Sequence, residues 1–499
     1  MVSHARPRCK TINVRSMEHL RRWGIADRLR ERAPLPVDWS QDIVFCTALT
    51  GHELSRFSGV LGLLPEAGRC AEAGQQAPQY VLEELLRDVA GELAAVTLVT
   101  GSRVSGLEQD PDEVRAEITS ANGARSVIAG EYAVGCDGPR SAVRAAIGAD
   151  YVGGQALRPN FGMVFHAPEL MARTVHGRAV QYWILNREAP SLMGPIDLHG
   201  TWWIIAFGVD RETGERDPQR IIDGAAGEPV RAQVLSTDPW TARMQLVDRA
   251  RVGRVFLAGD AAHLNPPFGG HGLNTGLGDA VDVGWKLDAV LRGWGGPCLL
   301  DSYELERRPI QSRVIAAAVA NNRVLATDLL TDDADAPGVA GDRARAGAHA
   351  RIQASKRAEF HALSLVLDLA YQGSPVIAAG GPGPGLRDDD DPVSEARPGA
   401  RLPHVWTGPE CSIYDAFGAG LTMLALEAGH DSGIAAIAAA ARARSVPLRV
   451  LVTPDHALRD PYRAALILVR PDQHVAWCGA RAPADPGALI DVVRGAAAM

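Results

Sequence analysis

The chain has 499 residues, which is too long for one ordinary hydrophobic core, so two or three domains are expected. Apolar residues make up 46% and charged residues 22%, as in a globular protein, and a net charge of −8 without any basic block argues against a nucleic-acid partner. The N-terminus has no signal-peptide core, no apolar run could span a membrane, and seven scattered cysteines show no metal-ligand spacing, so we expect a cytoplasmic protein with reduced thiols and no metal.

The first 135 residues alternate predicted helices with predicted strands. Apolar residues at helical spacing over 14–33 predict two helices with a break at Gly24, and a similar pattern predicts a helix over 79–96. Short strands are predicted around residues 96–100, 114–119 and 132–135.

Between residues 153 and 250 the sequence pattern changes to short runs in which apolar and polar residues are mixed, which favours an antiparallel sheet. A compact apolar strand follows over 252–258, then a long helix over 272–292 and a further helix over 302–330.

Glycine, proline and an aspartate run over 380–391 predict a linker, because these residues disfavour regular structure and stay solvated. Beyond it lies a separate domain of roughly a hundred residues. It carries strands near residues 421–426, 447–452 and 464–469 and a hairpin across 470–474.

The segment Arg254–Asn274, RVFLAGDAAHLNPPFGGHGLN, carries the strongest functional signal. It places Asp260 at the carboxyl end of a buried strand, where open α/β sheets form their ligand crevices and where a carboxylate can accept hydrogen bonds from sugar-like hydroxyls. Glycines then let the backbone approach a flat ring, and the next helix presents its free N–H groups and positive dipole end to that space. The residues predicted to line the site are Gly259, Asp260, Pro267, Gly269, Gly270, His271, Gly272, Leu273 and Asn274.

A second motif, GCDGPRSAVRAAIG, precedes it in the chain. Asp137 ends a predicted strand, Gly138 turns the chain, and Ser141 is placed to cap a short helix. Arg140 lies beside that helix start, a natural place to meet a phosphate.

Together these two segments resemble the DG and GD motifs of class A flavoprotein monooxygenases, the para-hydroxybenzoate hydroxylase-like group. PRCKTINVRSMEHLRRWGI and PQYVLEELL also match that family, which implies that Arg8 lies by the adenosine ribose or pyrophosphate of FAD and that Gln79 contacts the flavin. The tail resembles the thioredoxin-like domain of the phenol and polyketide hydroxylase branch. Because it lacks CxxC, a structural or homodimer-forming use is expected rather than a redox role.

The resemblance implies an α/β fold in which a Rossmann-like FAD-binding domain carries an inserted antiparallel substrate sheet and a C-terminal thioredoxin-like domain. The predicted division is an FAD-binding domain (1–50, 75–152 and 251–330), a substrate domain (51–74 and 153–250), a helical connection (331–379), a linker (380–398) and the thioredoxin-like domain (399–499).

One departure from the family is substantial. Its members open with a strand, a GxGxxG loop and a helix that bind the flavin pyrophosphate, and no such motif occurs in this sequence. The chain therefore begins at about the family's third element, as though roughly the first 35–45 residues of a βαβ unit were absent. A start codon placed too late and a defective product both stay open, and in either case we expect an unpaired strand and bare apolar surface.

The family chemistry implied is reduction of FAD by NADPH or NADH, addition of O2 to give a flavin C4a-hydroperoxide, and hydroxylation of a phenolic or polyketide aromatic substrate. The alternative is a cofactor-free remnant that acts at most as a binding protein. His271 stands where many relatives carry glutamine; proton transfer and a simple hydrogen bond to backbone are both open for it.

No side chain is assigned as the catalytic base from the sequence, although His166 and His199 lie in the predicted substrate sheet. Its aromatic residues could line a broad pocket or form the ordinary packing face of the sheet. Trp202-Trp203-Ile204-Ile205 does not match the WxWxIP motif of flavin-dependent halogenases. The predicted substrate-contacting residues are Tyr182, Trp183, Met193 and Trp203, with Trp202 and Phe207 as further pocket candidates.

Overall fold

The computed structural model describes residues 9–65, 68–154, 158–378, 395–453 and 462–497. Its helices are α1 (Val14–Arg22), α2 (Ala26–Arg32), α3 (Gln79–Glu92), α4 (Ala142–Ala146), α5 (Leu170–Arg173), α6 (Arg211–Arg216), α7 (Pro218–Ala226), α8 (His271–Leu291), α9 (Pro297–Asn322), α10 (Gly338–Phe360), α11 (Leu363–Leu367), α12 (Asp431–Ala443) and α13 (Pro486–Val493). None of these described helices is both long enough and apolar enough to cross a lipid bilayer.

The strands fall into several separate sheets. They are β1 (Thr11–Ile12), β2 (Ile43–Cys46), β3 (Glu53–Phe57), β4 (Gln75–Gln76), β5 (Ser102–Gln109), β6 (Val114–Ser120), β7 (Arg125–Gly130), β8 (Ala133–Gly135), β9 (Tyr151–Gly154), β10 (Pro159–His166), β11 (Gln181–Ile184), β12 (Ser191–Pro195), β13 (Thr201–Phe207), β14 (Gln233–Thr241), β15 (Met244–Val247), β16 (Arg251–Val252), β17 (Val255–Leu257), β18 (His263–Leu264), β19 (Trp406–Gly408), β20 (Cys411–Ser412), β21 (Leu421–Ala425), β22 (Leu448–Val452), β23 (Leu466–Val469) and β24 (Val475–Gly479).

A seven-stranded sheet forms the predicted substrate region, in the order β14-β10-β13-β12-β11-β2-β3. Its neighbours are antiparallel except β2 and β11, which run parallel. Side chains alternate between the two faces of a strand, so each face builds its own core. One face packs Phe45, Trp183 and Phe207 with Phe360 of α10, and the other packs Tyr182 with residues of α7.

The second structural unit contains both motif strands. β8 and β17 pair in parallel with Val255 opposite Ala133, and β16 closes the far side of β17. In this three-stranded sheet β17 is central, and β8 and β16 are the two edge strands. Val134 within β8, and Val127 and Ile128 just before it, are exposed. β8 is paired on one side by β17, and Val127 and Ile128 belong to β7 of a separate sheet, so the expected unpaired strand and bare apolar surface stay a prediction.

The C-terminal unit has a mixed sheet in the order β22-β21-β23-β24, with α12 and α13 contributing to its core. β21 pairs in parallel with β22 and antiparallel with β23. The turn between β23 and β24 carries Arg470 and Asp472, both buried against α8 and α9. This turn therefore joins the C-terminal unit to the motif-bearing unit.

Most predicted elements are confirmed with shifted ends, and the largest shift is that of the helix predicted over 302–330, which runs over Pro297–Asn322. The predicted break in the first helical segment lies at Gly24, whose φ of 72° is in the left-handed region that glycine adopts without steric cost. The strand predicted at 96–100 is wrong, because those residues form no ladder and β5 begins only at Ser102. Most of the predicted linker lies outside the described residues, and the domain boundaries stay predictions.

Candidate active site

A cavity of about 580 Å³ lies between the GD loop, the start of α8 and one face of the seven-stranded sheet. That volume is within the range of sites for drug-sized ligands and cofactors. On its motif side it is lined by Cys136, Gly138, Pro139, Gly259, Asp260, Pro267, Gly269, Gly270, Gly272 and Leu273. On its sheet side it is lined by Lys10, Gln181, Leu192, Trp203 and Ile205.

The GD loop is held in place from the following helix. The Gly259 N–H donates to Asp279 Oδ2 at 3.1 Å, and Asp279 also accepts from His263 Nε2 at 2.9 Å and Arg307 Nε at 2.8 Å. Burial would raise the pKa of Asp279, but the Arg307 and His263 charges lower it to about 2. An ionised carboxylate inside the protein thus fixes the loop that presents Asp260 to the cavity.

The start of α8 leaves room for a flat group. A helix cannot pair the N–H groups of its own first turn, so those of α8 are available to a ligand. A Cβ on Gly272 would meet nothing within 4 Å, so this glycine keeps open space in front of the helix. Gly269 and Gly270 have φ of 83° and 69°, which bends the loop into the helix.

These features fit the ring and ribityl end of FAD. The opposite rim is formed by Cys136, Gly138 and Pro139. There Asp137 accepts from the Ala142 N–H at 2.7 Å and from the Val143 N–H at 3.2 Å. The start of α4 is therefore satisfied by a carboxylate of the chain itself and does not offer those amides to a phosphate.

Of the other predicted cofactor residues, one lines the cavity, two do not, and one lies outside the described residues. Gln79 lines the cavity, and its Nε2 donates to Glu83 at 2.7 Å. Arg140 is exposed and is not among the lining residues, and Arg8 lies outside the described residues. Ser141 caps α4 as predicted, accepting from the Arg144 N–H at 2.8 Å, and Asp137, which accepts the neighbouring amides, does not line the cavity.

Asn274 and His271 face away from the large cavity. Asn274 donates to the Thr11 and Gly270 carbonyls at 2.9 and 2.8 Å and accepts from the Asn13 N–H at 3.0 Å, so it ties α8 to the start of α1. Both line a smaller cavity of about 60 Å³ behind α8. Burial lowers the pKa of His271 to about 4, which keeps its ring neutral near pH 7.

Of the four predicted substrate residues, only Trp203 lines the cavity. Tyr182 is paired directly with Met193 across the β11–β12 ladder, and both belong to the core on the opposite face, as does Trp202. Trp183 is on the cavity side of the sheet but is buried beneath it, stacked on Phe45 with ring centroids 5.3 Å apart. Phe207 belongs to that same core, and His166 and His199 are not lining residues.

Several lining residues were not found by the sequence reasoning. Phe268, Glu359, Phe360 and Lys10 all line the cavity, and two of them come from α10, far along the chain. Glu359 accepts from Lys356 Nζ at 2.7 Å and is buried. Lys10 did carry a usable signal: the chain has only three lysines among its 51 basic residues, so a lysine there is a departure from the prevailing arginine.

Comparison with known proteins identifies the family. Residues 2–318 match the FAD-binding-domain model, and residues 395–496 match the model of the aromatic-ring hydroxylase C-terminal domain. The chain is 30% identical to aklavinone 12-hydroxylase RdmE of Streptomyces purpurascens, covering 98% of this chain and 91% of that protein. It is 28% identical to phenol 2-monooxygenase of Pseudomonas sp. (strain EST1001), covering 98% and 86%.

Among solved structures, the rebeccamycin biosynthetic enzyme RebC with reduced flavin matches with a TM-score of 0.89 and 35% identity. That match covers 100% of this chain and 92% of RebC. The chain belongs to the FAD-dependent aromatic-ring hydroxylases, a family of flavoprotein monooxygenases.

Proposed function

We propose that the 580 Å³ cavity is the place where this protein hydroxylates a phenolic or polyketide aromatic compound, with FAD as cofactor and NADPH or NADH as reductant. The observation that carries the proposal is the continuity of this one cavity. It joins Gly272 and Asp260, at the flavin-binding motif, to Trp203 and Leu192, on an apolar sheet face. A flavin and an aromatic ring can therefore lie in contact.

Residues of the chain would hold the flavin and orient it toward the aromatic substrate. The first-turn N–H groups of α8 border the cavity, and the positive end of the helix dipole would stabilise negative charge on a reduced flavin bound there. Asp260 lines the cavity and would accept hydrogen bonds from the ribityl hydroxyls. FAD, when bound, supplies the oxygen activation, and the protein supplies positioning and exclusion of water.

The sheet side would receive the aromatic substrate. Leu192 and Ile205 face each other across the β12–β13 ladder and offer an apolar surface, and Trp203 adds a large ring beside them. The extent of the match to full hydroxylases, 91% of the aklavinone hydroxylase, supports the enzyme over a cofactor-free remnant.

The test is purification of the full chain, its visible spectrum, and oxidation of NADPH and NADH with simple phenols and with hydroxylated fused-ring aromatics. We expect bound flavin, substrate-stimulated reductant oxidation and a hydroxylated product. A colourless protein that oxidises neither reductant with any of these compounds would overturn the proposal.

A glycine pair on α8 tests the position of the flavin. Gly272→Leu extends a side chain into open space at the cavity, whereas Gly284→Leu, on the same helix, also meets nothing within 4 Å but lies on an exposed face. We expect Gly272→Leu to weaken FAD binding by about tenfold or more, a loss of about 1.4 kcal/mol, measured by flavin retention on dialysis. Gly284→Leu should retain flavin like the wild type. Equal retention by both variants would refute the placement.

A further inference from the structure

Lys10 reaches the sheet end of the cavity from the segment just before β1. Its Nζ donates to the Val180 carbonyl at 2.7 Å and lies 4.4 Å from the centroid of the Trp203 ring. Lys10 and Trp203 both line the cavity. A cation is thus anchored on the apolar face against which an aromatic substrate would lie.

The hydrogen-bonding capacity of these two side chains is incompletely used. An ammonium has three N–H donors, and Val180 takes one of them. Among the residues that the structure describes, no carboxylate forms an ion pair with Lys10. The indole Nε1 of Trp203 is also without an acceptor, although this side chain is only 8% exposed. Buried donors are normally paired, so an acceptor is missing from this end of the cavity.

The absence of a side chain at Gly194 brings the two donors to one place. A Cβ built on Gly194 would lie 3.2 Å from Trp203 Nε1 and 3.3 Å from Lys10 Nζ. The same Cβ would lie 2.5 Å from the Val180 carbonyl oxygen, so any larger residue would disturb the anchor of Lys10. Two donors of different chemistry therefore converge beside the same cavity.

We propose that Lys10 and the Trp203 indole bind the ionised oxygen of a phenolic substrate, so that this enzyme selects aromatic rings that carry a free hydroxyl at the end placed against the sheet. The proposal rests on the proposed function, because it takes the cavity as the substrate site.

The charge state of Lys10 suits this use. Burial lowers the pKa of Lys10 to about 7, although the neighbouring Cys9 opposes this shift, and the other titratable groups in the cavity lining are Cys136, Asp260 and Glu359. When Lys10 is neutral, its amine can take the proton of the phenol: the O–H bond breaks, an N–H bond forms, and an ammonium–phenolate pair results. When Lys10 is already charged, it favours the phenolate directly. Either route leaves an electron-rich ring, which is the form that accepts oxygen.

The test compares 4-fluorophenol with 4-fluoroanisole, whose oxygen is capped by a methyl group, as probes bound by the flavin-loaded full chain. We expect the wild type to prefer the phenol, and the fluorine NMR signal of the bound phenol to move toward that of the phenolate. Lys10→Met should weaken phenol binding about tenfold or more while leaving the anisole unchanged. Lys10→Arg should restore part of the preference, and Trp203→Phe, which keeps a ring but loses the N–H, should reduce it.

Flavin content and circular dichroism of each variant show whether it folds. A folded Lys10→Met protein with the wild-type ratio of phenol to anisole affinity would overturn the assignment, and if that variant does not fold, Trp203→Phe with an unchanged ratio would do so. A wild type that holds flavin and oxidises reductant but binds both probes equally would overturn this inference alone. A wild type that holds no flavin and binds neither probe would overturn the proposed function as well.

Discussion

Arg470 connects the C-terminal unit to the motif-bearing unit, and its removal should be strongly destabilising. The side chain is fully buried and donates to Glu306 Oε1 at 2.6 Å, to Glu306 Oε2 at 2.8 Å and to Asp472 Oδ2 at 2.6 Å. Lys286 Nζ lies 2.8 Å from Asp282 and 2.6 Å from Glu306. The cluster thus holds two cations and three carboxyl groups away from water.

The expected magnitude follows from the charges left behind. Arg470→Met has a side chain of similar reach but removes the guanidinium from Glu306, Asp472 and Asp282. Lys286 then remains beside Glu306 and Asp282, and His474 beside Asp472. Removing one partner of a buried ion pair costs about 3–5 kcal/mol, because the remaining charge stays buried without compensation. Arg444→Met is the matched control, since Arg444 also forms a two-bond pair, with Asp491 at 2.8 and 2.7 Å, but is partly exposed. Loss of an exposed pair costs about 0–1 kcal/mol.

Urea unfolding followed by circular dichroism measures both variants, and the difference should depend on pH. Burial would raise the pKa of Glu306, but Arg470 and Lys286 hold it at about 2. Without Arg470 the buried carboxyl groups bind protons more readily in the folded protein than in the unfolded chain. The stability of the variant should therefore rise relative to that of the wild type as the pH falls from about 8 to about 5. If Arg470→Met lowered the free energy of unfolding by no more than Arg444→Met does at every pH in this window, this account of the cluster would be refuted.

Two further predictions test other parts of the structure. Glu18 is buried between Arg401 and Arg15, and although burial would raise its pKa, these arginines lower it to about 2. Glu18→Gln should therefore be less stable than the wild type by about 1–3 kcal/mol near neutral pH. In the wild type this stability is present above the unfolded pKa of 4.5 and is lost as the pH falls toward 2. If the difference in free energy of unfolding between the wild type and Glu18→Gln stayed constant in urea titrations across that range, the ion pairing of Glu18 would be contradicted. Tyr182 faces the opposite side of the sheet and donates to the Gly177 carbonyl at 2.5 Å. Tyr182→Phe should cost about 1 kcal/mol of stability and leave kcat/KM for the substrate unchanged; a tenfold fall in kcat/KM without loss of fold would show that this side chain contacts substrate.

The flavin-binding segment could be found from the sequence because its function depends on local structure. A strand, a glycine-rich turn and a helix start lie within Arg254–Asn274, and the chain itself holds these parts next to one another. Asp279, five residues beyond this segment, fixes the loop by accepting a hydrogen bond from the Gly259 N–H. Arg8 and the helix start at α4 were inferred from resemblance instead, and at α4 the carboxylate of Asp137 takes the amides that a phosphate would need.

The substrate side could not be predicted in the same way. The alternation of a strand shows that Tyr182 and Met193 point away from Trp183 and Leu192, but not which of the two sets faces the cavity. That choice depends on the pairing of β11 with β2 and on the packing of α10 against the sheet. Tertiary packing also decided the roles of residues that are far apart in the chain.

The sequence by itself determined the fold class, the two motif loops and the family, because each of these depends on residues that are adjacent or regularly spaced in the chain. Only the tertiary structure brought Lys10 beside Trp203 and Gly194, 170 residues or more further along the chain, and Arg470 against Glu306. It also placed Asn274 in a network that holds α1 to α8. Contacts of this kind arise from burial of whole surfaces, and no local pattern records which charged or polar groups will meet when those surfaces close.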